Sequence, residues 1–475
     1  MTTSNTIDMQ PNHASPVIES FINIYFIGIG GIGMSNLVRY FLAQRKTVGG
    51  YDRTSTQLSK LLEDEGAIIH YQDNVDSIPP QFLNSHTTLI VYTPAVPTTH
   101  TEFVYFQQKG FTMMKRAQVL GDITKLSDAI CCAGTHGKTT VSTMVAYILR
   151  QSQVDCSAFM GGILKNYKSN LILSTESNIT VIEADEYDRS FHWLHPWIAI
   201  ITSANPDHLD IYHNAANYRE SFEKFTSLIR EDGYLIMRKD IPVTPKCPAS
   251  VKRYSYSLNS GDFHADNLRI GNGTLFFDFV HPKGVINDIE LGVPILINVE
   301  NAIAAAAAAL ISGAQPHEIK AALLGYQGAK RRFDVRYKTN HRVLIDDYAH
   351  HPDEVLASIS SIRKLYNKKK ITGIFQPHLY SRTRDFADEF ANSLSLLDEL
   401  ILLDIYPARE EPIEGVSSQL IFDKVTIDNK TLCSKDEVVG LLRNSHQEVV
   451  VTLGAGDIDT LLPEIEELFR ENRKE

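Results

Sequence analysis

The run Ile-Cys-Cys-Ala-Gly-Thr-His-Gly-Lys-Thr-Thr over residues 130–140 carries the strongest chemical signal in the chain. An apolar stretch enters Gly134-Thr135-His136-Gly137, and Lys138, Thr139 and Thr140 lead into a helix-like segment, Val141–Arg150. Glycines let a backbone turn tightly and aim its N–H groups inward. The start of a helix adds about half a positive charge. In such a loop a lysine reaches the terminal phosphates of a nucleotide and a threonine hydroxyl ligates Mg²⁺. Lys138 and Thr139 stand in those places. The full pattern has a glycine where this chain has Cys132, so the loop is a shortened one.

Two more apolar runs end in polar clusters. Ile179–Ala184 leads into Glu183-Ala184-Asp185-Glu186-Tyr187-Asp188, and Ile198–Thr202 into Asn205-Pro206-Asp207-His208-Leu209-Asp210. Ligands of open α/β sheets sit beyond the carboxyl ends of the strands, so the three loops can meet above one sheet edge. The carboxylate of Glu183 and the imidazole of His208 beside Thr139 suit Mg²⁺. Either acidic run taken alone is equally well a solvated surface loop.

A second glycine turn, Gly28-Ile29-Gly30-Gly31-Ile32-Gly33, follows strand-like Ile22–Ile27. Asp52 comes about twenty residues later, where a dinucleotide fold sets a carboxylate on a ribose hydroxyl. Pyrophosphate and ribose belong to many nucleotides, so the turn alone leaves a nicotinamide-dependent oxidoreductase open. Hydride transfer, however, leaves the Lys138 loop without a task.

These loops need a scaffold of alternating strands and helices. From Ile22 to about Ile123 short apolar runs such as Thr88–Tyr92 alternate with helix-like Asn36–Gln44 and Ser59–Glu65. That alternation predicts βαβ units and a parallel sheet. A second such stretch opens at Ala129–Ala133. Between about Asp232 and Pro294 the pattern shortens, as in Thr274–Val280 after Gly271-Asn272-Gly273, which predicts an antiparallel insert. An alanine-rich helix follows over Asn301–Leu310. A third α/β stretch begins near Arg342, with strands at Val343–Ile345, Ile371–Phe375, Leu400–Leu403 and Val449–Leu453.

The length of 475 residues accommodates two to four domains, and 43% hydrophobic with 22% charged residues is ordinary globular composition. With 46 basic against 57 acidic residues the formal net charge is −11, which disfavours nucleic acid as a partner. The longest apolar run, about Ala302–Ile311, is far short of the ~20 residues a membrane span needs. Five cysteines without a CxxC pair suggest neither disulfides nor a zinc cluster. Residues 1–20 are polar and lack the apolar core of a signal peptide, so a disordered extension and a cytoplasmic location are expected.

GTHGKTT (134–140), EADEYD (183–188) and DHLD (207–210), in this order and spacing, resemble the Mur ligases, the ATP-dependent amino-acid ligases of peptidoglycan precursor synthesis. GIGGIGMS (28–35), DDYAHHP (346–352), FQPHLYSRT (375–383) and DIYPAREEP (404–412) resemble the alanine-adding branch of that family. The resemblance implies three α/β domains. They are a Rossmann-like UDP-binding domain over 21–124, a central P-loop ATPase domain with the antiparallel insert over 125–332, and a Rossmann-like C-terminal domain over 333–475. It implies a ligase that uses ATP and Mg²⁺ to join L-alanine to UDP-N-acetylmuramate, working as a monomer or weak homodimer. The alternative is a cell-wall recycling ligase that attaches a whole peptide to the same sugar nucleotide.

The family's site residues carry over as follows. Lys138 and Thr139, with Gly134, Thr135, His136, Gly137 and Thr140, match the phosphate and Mg²⁺ loop. Glu183 and His208 match further metal-site residues. Asn298 and Asn301 match paired asparagines near adenine and ribose. Arg332 and Asp347 match residues that contact the nucleotide across a cleft. Gly28, Gly30, Gly31, Ile32, Gly33 and Asp52 fall at the UDP site. Tyr348, His350 and Arg382 match groups near the lactoyl carboxylate and the incoming alanine. Lys138, Glu183, His208 and Arg332 form the implied catalytic set. Plainer roles stand beside these: Asn298 as a helix cap, Arg332 as a surface ion-pair residue, and His350, His351 and His378 as structural histidines. The chain departs from the family pattern at Leu379, where arginine is common, and at Ser203, where asparagine is frequent.

Overall fold

Parallel strands buried on both faces read as unbroken apolar runs, and those of this chain assemble into three open sheets. The structure, a computed structural model, describes residues 17–471 apart from residues 94, 272 and 409 and the side chain of residue 210.

The first sheet is wholly parallel. It contains β1 (Asn23–Ile27), β2 (Thr47–Tyr51), β3 (Ile68–His70), β4 (Thr88–Tyr92) and β5 (Thr112–Lys115) in the order β3-β2-β1-β4-β5. The second has seven strands: β6 (Asp128–Ala133), β7 (Ser157–Leu164), β8 (Ser169–Ile172), β9 (Ile179–Ala184), β10 (Ile198–Ile201), β11 (Tyr234–Arg238) and β12 (Lys252–Tyr256). Their order is β12-β11-β10-β6-β9-β7-β8, with only β7–β8 antiparallel. A three-stranded antiparallel sheet follows, β13 (His264–Gly271), β14 (Thr274–His281) and β15 (Gly284–Glu290). The last sheet orders β16 (Asp334–Lys338), β17 (Val343–Asp347), β18 (Ile371–Phe375), β19 (Glu399–Leu403), β20 (Lys430–Cys433) and β21 (Val449–Leu453) as β16-β17-β21-β18-β19-β20.

In the seven-stranded sheet β6 lies between β9 and β10, so the three apolar runs that end in polar clusters are neighbours. The chain builds β7–β9 on one side of β6 and β10–β12 on the other. The crevice above β6 is therefore the point where strand order reverses, the place where such sheets bind ligands. The helix Lys138–Arg150 leaves β6 and packs against the helix Leu296–Ile311. Residues Ala304 to Ala309 of the latter are fully buried and point all round the helix, so small side chains let its neighbours pack closely on every side, the helix Lys138–Arg150 among them.

The first module docks through the helix of its glycine turn, Ile32–Ala43. Asn170 Nδ2 donates to Ile32 O (2.8 Å) and Ser35 Oγ (3.1 Å), and Arg39 donates to Asn170 Oδ1 (2.9 Å). On the other side, Lys165 pairs with buried Asp334 at 2.5 Å.

Several expectations need correction. The stretch from Asp232 to Pro294 is antiparallel only over β13–β15. β11 and β12 extend the seven-stranded sheet in parallel; β12 forms its edge, exposed at Lys252 and Arg253, so neither strand shows the unbroken apolar run of the inner strands. Of the expected extension, residues 1–16 lie outside the described residues, and Val17–Ser20 is a 3₁₀ turn rather than disordered. Ile18 is buried, and the Val17 N–H donates to Asp122 Oδ2. Asn272 of the Gly271–Gly273 turn also lies outside the described residues, as do Arg409 of DIYPAREEP and the side chain of Asp210 in DHLD. The strands β16 and β20 carry charged residues at the sheet edges and escaped the apolar pattern. Among the described residues no helix is long and apolar enough to cross a membrane.

Candidate active site

Gly134 has φ +143, and a Cβ there would lie 2.0 Å from Thr202 Oγ1, so only glycine lets the turn press against the end of β10. The N–H groups of Gly134, Thr135 and Gly137 have no partner among the described residues. The His136 N–H donates to Ser203 Oγ (2.8 Å), and its carbonyl accepts from the hydroxyls of Thr202 and Ser203. Ser203, the departure from the family pattern, thus fixes the loop backbone.

Lys138 lies inside this loop. Its ammonium donates to Gly134 O (2.7 Å) and to Glu186 Oε1 (2.8 Å), and Glu186 is 1% exposed. Burial alone would lower the Lys138 pKa, but the carboxylates of Glu186, Asp185 and Glu183 outweigh it and hold the ammonium above its ordinary range. Thr139 donates to Glu183 Oε1 (2.9 Å), whose other oxygen accepts from the Gly161 N–H (2.9 Å). His208 makes no hydrogen bond or ion pair with either. It has a left-handed backbone (φ 53°), sets its ring edge-on to Tyr187 at 5.2 Å, and has Asp207 at 3.8 Å. Among the described residues no three His, Cys, Asp or Glu side chains gather as a metal cluster.

A cavity of about 250 Å³ opens beside the loop. His136, Gly137 and Thr140 form one wall, Asn298, Asn301, Tyr256 and Ile295 another. Arg332, Asp347 and Glu354 of the last module face them. Asn298 is not the helix cap, a place Ile295 holds. Its amide donates to Val293 O (3.2 Å), and Asn301 donates to Asn298 Oδ1 (3.1 Å). Arg331 and Phe333 have left-handed backbones (φ 60° and 46°) on either side of Arg332. Both guanidinium groups lie over the Tyr348 ring, Arg331 at 5.1 Å and Arg332 at 5.2 Å, but Arg331 bonds Gly454 O and Gly456 O whereas Arg332 lines the cavity. Asp347 accepts from the Phe333 N–H (3.3 Å), and burial pushes its carboxyl upward.

Tyr348 and His350 are edge-on at 5.2 Å, and His350 reaches His378 at 5.9 Å. His351 caps the helix Pro352–Leu365, a structural role. Arg382 forms no ion pair among the described residues. Leu379 has φ 72° and donates its N–H to Tyr406 O.

The first glycine turn differs from its expected form. The N–H groups of Gly28 and Ile29 donate to Tyr51 O, and that of Gly31 to Gly28 O. The Gly30 N–H donates to Asp52 Oδ2 at 2.7 Å. Asp52 therefore braces the turn, and the N–H groups of Ile32 and Gly33 have no partner among the described residues. Arg116 donates to Gly33 O (2.9 Å) from the start of the helix Arg116–Lys125. A Cβ on Gly33 would lie 2.8 Å from the Arg116 guanidinium carbon. Among the described residues no carboxylate pairs with Arg116. Sequence inspection missed Arg116, which sits far along the chain, and Glu186, which the acidic run already contained.

Three family models match the chain in succession: the Mur ligase family catalytic domain over 23–127, the Mur ligase middle domain over 132–309, and the Mur ligase glutamate ligase domain over 331–456. A UDP-N-acetylmuramate–L-alanine ligase of Parabacteroides distasonis is 60% identical over 453 residues, covering 95% of this chain and 98% of its own. One of Phocaeicola vulgatus is 55% identical over 449 residues, covering 94% and 98%. Among solved structures, a UDP-N-acetylmuramate-alanine ligase from Thermotoga maritima superposes with a TM-score of 0.80 at 25% identity, covering 95% of this chain and 99% of its own. A murein peptide ligase from Psychrobacter arcticus reaches 0.64 at 23% identity, covering 94% and 98%, a likeness of fold. With its phosphate loop at a strand reversal, its cavity shared between modules, and three family models laid end to end, the chain belongs to the Mur ligase family.

Proposed function

We infer that this chain is an ATP-dependent ligase that joins L-alanine to the lactoyl carboxylate of UDP-N-acetylmuramate, releasing ADP and phosphate, in peptidoglycan precursor synthesis. The observation that carries this reading is the cavity between the Lys138 loop and the Arg332–Asp347–Glu354 face. It sets a nucleotide-phosphate cradle opposite a separate module able to present a second substrate.

A carboxylate is a poor acyl donor. Transfer of the γ-phosphoryl group of ATP to it gives an acyl phosphate. The alanine nitrogen then attacks the carbonyl carbon, and the C–O bond to phosphate breaks as the amide forms. The chain's work is positioning and charge stabilisation. The N–H groups of Gly134, Thr135 and Gly137 receive phosphate oxygens. Lys138 exchanges its carbonyl partner for the γ-phosphoryl group, with Glu186 behind it. Arg332 brings a second cation from across the cavity. Asn298 and Asn301 line the nucleoside end, and Asp347, which accepts from the Phe333 N–H, steadies the segment that carries Arg332 and faces the nucleotide across the cavity. Tyr348, His350 and Arg382 face the lactoyl and alanine side.

The hydroxyl of Thr139 beside the Glu183 carboxylate is a hard oxygen pair that fits Mg²⁺, an ion that takes one or two protein oxygens and completes its shell with phosphate and water. When bound, Mg²⁺ neutralises charge on the phosphate oxygens. His208 stays in the proposed metal set as the imidazole of the neighbouring strand end. The UDP moiety rests on the Ile32 and Gly33 N–H groups with Arg116. Residues 21–124, 125–332 and 333–475 are read as the sugar-nucleotide, ATP and closing domains of a cytoplasmic enzyme.

Phosphate release with ATP, Mg²⁺ and UDP-N-acetylmuramate, measured with each standard amino acid and with a tripeptide, tests the reading. L-Alanine should give the fastest release. Release with the tripeptide alone would replace it with the recycling ligase. Glu183→Ala should raise the Mg²⁺ requirement and leave sugar-nucleotide affinity intact.

A further inference from the structure

We propose that Glu354 is a positioning residue that fixes the phosphate loop from the opposite side of the cavity, through His136. The inference rests on the ligase reading of that cavity.

Glu354 is the third residue of the helix Pro352–Leu365. Its Oε2 accepts from the N–H groups of His350 (3.1 Å) and His351 (3.3 Å), which is a helix-capping arrangement. Its Oε1 is not needed for that cap. It points across the cavity to His136 Nδ1 at 3.3 Å. His136 stands two residues before Lys138, and its backbone is held by Thr202 and Ser203 at the end of β10. The loop is thus held twice: by its backbone to its own sheet, and by a side chain to the last module.

A direct role on the nucleotide does not fit this carboxylate. Burial would raise its pKa, but hydrogen bonds from His136 and His350 and the charge of Arg332 hold it well below the usual range, so it is an anion. An anion beside a triphosphate repels it. What the anion can do is hold the imidazole in one orientation. That makes the loop geometry around Lys138 depend on the last module being in place, so the loop is fully ordered only when both sides of the site are together.

The test measures kcat, the KM for ATP and the KM for UDP-N-acetylmuramate on the full chain. Wild type, Glu354→Gln, His136→Ala and the double variant are compared. Glutamine keeps an oxygen for the two capping N–H groups and removes the charge. Each single variant should raise the KM for ATP by about tenfold, the scale of a lost charge-assisted hydrogen bond, and leave the KM for the sugar nucleotide within about twofold. The double variant should be no worse than either single one, because both break one contact. An unchanged KM for ATP in Glu354→Gln, or effects that multiply in the double variant, would overturn the proposal. If Glu354→Gln fails to fold, His136→Ala, which leaves the cap intact, decides alone by its KM for ATP. If wild type releases no phosphate with these substrates, the ligase reading fails. Calorimetric affinity for ADP across the same four proteins then decides the positioning role separately.

Discussion

The chain carries two glycine turns, each between a parallel strand and a helix, and they meet an anion in different ways. In the turn at Gly134 the cation is built in. Lys138 lies within the loop, and the N–H groups of Gly134, Thr135 and Gly137 have no partner among the described residues. In the turn at Gly28 the first four N–H groups are consumed by Tyr51, Gly28 and Asp52. Only the helix start at Ile32 and Gly33 remains, with a cation supplied by Arg116 from a helix more than eighty positions along the chain. The same strand–glycine turn–helix arrangement therefore yields a cradle that grips phosphate in the first case, and in the second a rigid platform that needs an outside charge.

The largest effect expected from breaking this contrast is on Lys138→Ala. Turnover should fall on the order of 10²-fold or more, since a lost transition-state cation is not replaced. Circular dichroism should show the fold intact. Near-normal turnover in the folded variant would mean that the built-in cation is not the working one. Arg116→Ala comes next. Its KM for UDP-N-acetylmuramate should rise by about 10- to 100-fold, with the KM for ATP unchanged. A rise in both would show that Arg116 acts on the whole fold and not on its own turn.

Asp52→Asn should do less. Asparagine still offers Gly30 an acceptor oxygen, so the KM for the sugar nucleotide should move by less than about fivefold. A collapse of affinity would restore Asp52 to direct contact with the ligand, as its position in the sequence suggested.

The smallest effect concerns stability. Glu186 is buried against an ammonium, whereas Glu102, behind the first turn, is buried against the Tyr25 hydroxyl (2.6 Å) with the His70 imidazole at 3.4 Å. Burial pushes the Glu102 carboxyl to about 8, although the Tyr25 hydrogen bond pulls the other way. The folded value lies above the unfolded one, so the native state keeps the proton. The stabilisation is complete below about 4.5 and is lost as pH rises through about 8. Glu102→Gln should flatten this loss. In thermal melts at about pH 9 the variant should exceed wild type by a few degrees, and the gap should close at about pH 5. An equal pH slope in the two proteins would show that Glu102 ionises freely in the fold.

The parts of the site that were legible in the sequence are local. Strand, turn, lysine and helix follow one another from Ile130 to Arg150, and the apolar runs before Glu183 and His208 are strands next to β6. The parts that stayed hidden depend on contacts between distant segments. Nothing near Asp52 says that Gly30 claims its carboxylate, and nothing near Gly33 announces Arg116. His208 was expected beside Thr139 because its strand end is adjacent, but a left-handed backbone at that residue turns the ring toward Tyr187. β11 and β12 were misread for a related reason. A short, partly exposed strand at or next to a sheet edge does not reveal whether its partner runs parallel or antiparallel.

The buried alanines behind the phosphate loop have a consequence for how the gene can vary. A single base change that replaces alanine gives only valine, threonine, serine, proline, glycine, aspartate or glutamate, changes in the third position being silent. At Ala304 to Ala309, all fully buried, valine and threonine add volume to an interior already packed on every side. Serine adds a hydroxyl that must find a carbonyl, glycine loosens the helix, proline breaks it, and the acids bury a charge. The run therefore has no neutral single step away from it. Drift that would be harmless on the surface here strains the core on which the helix beginning at Lys138 rests.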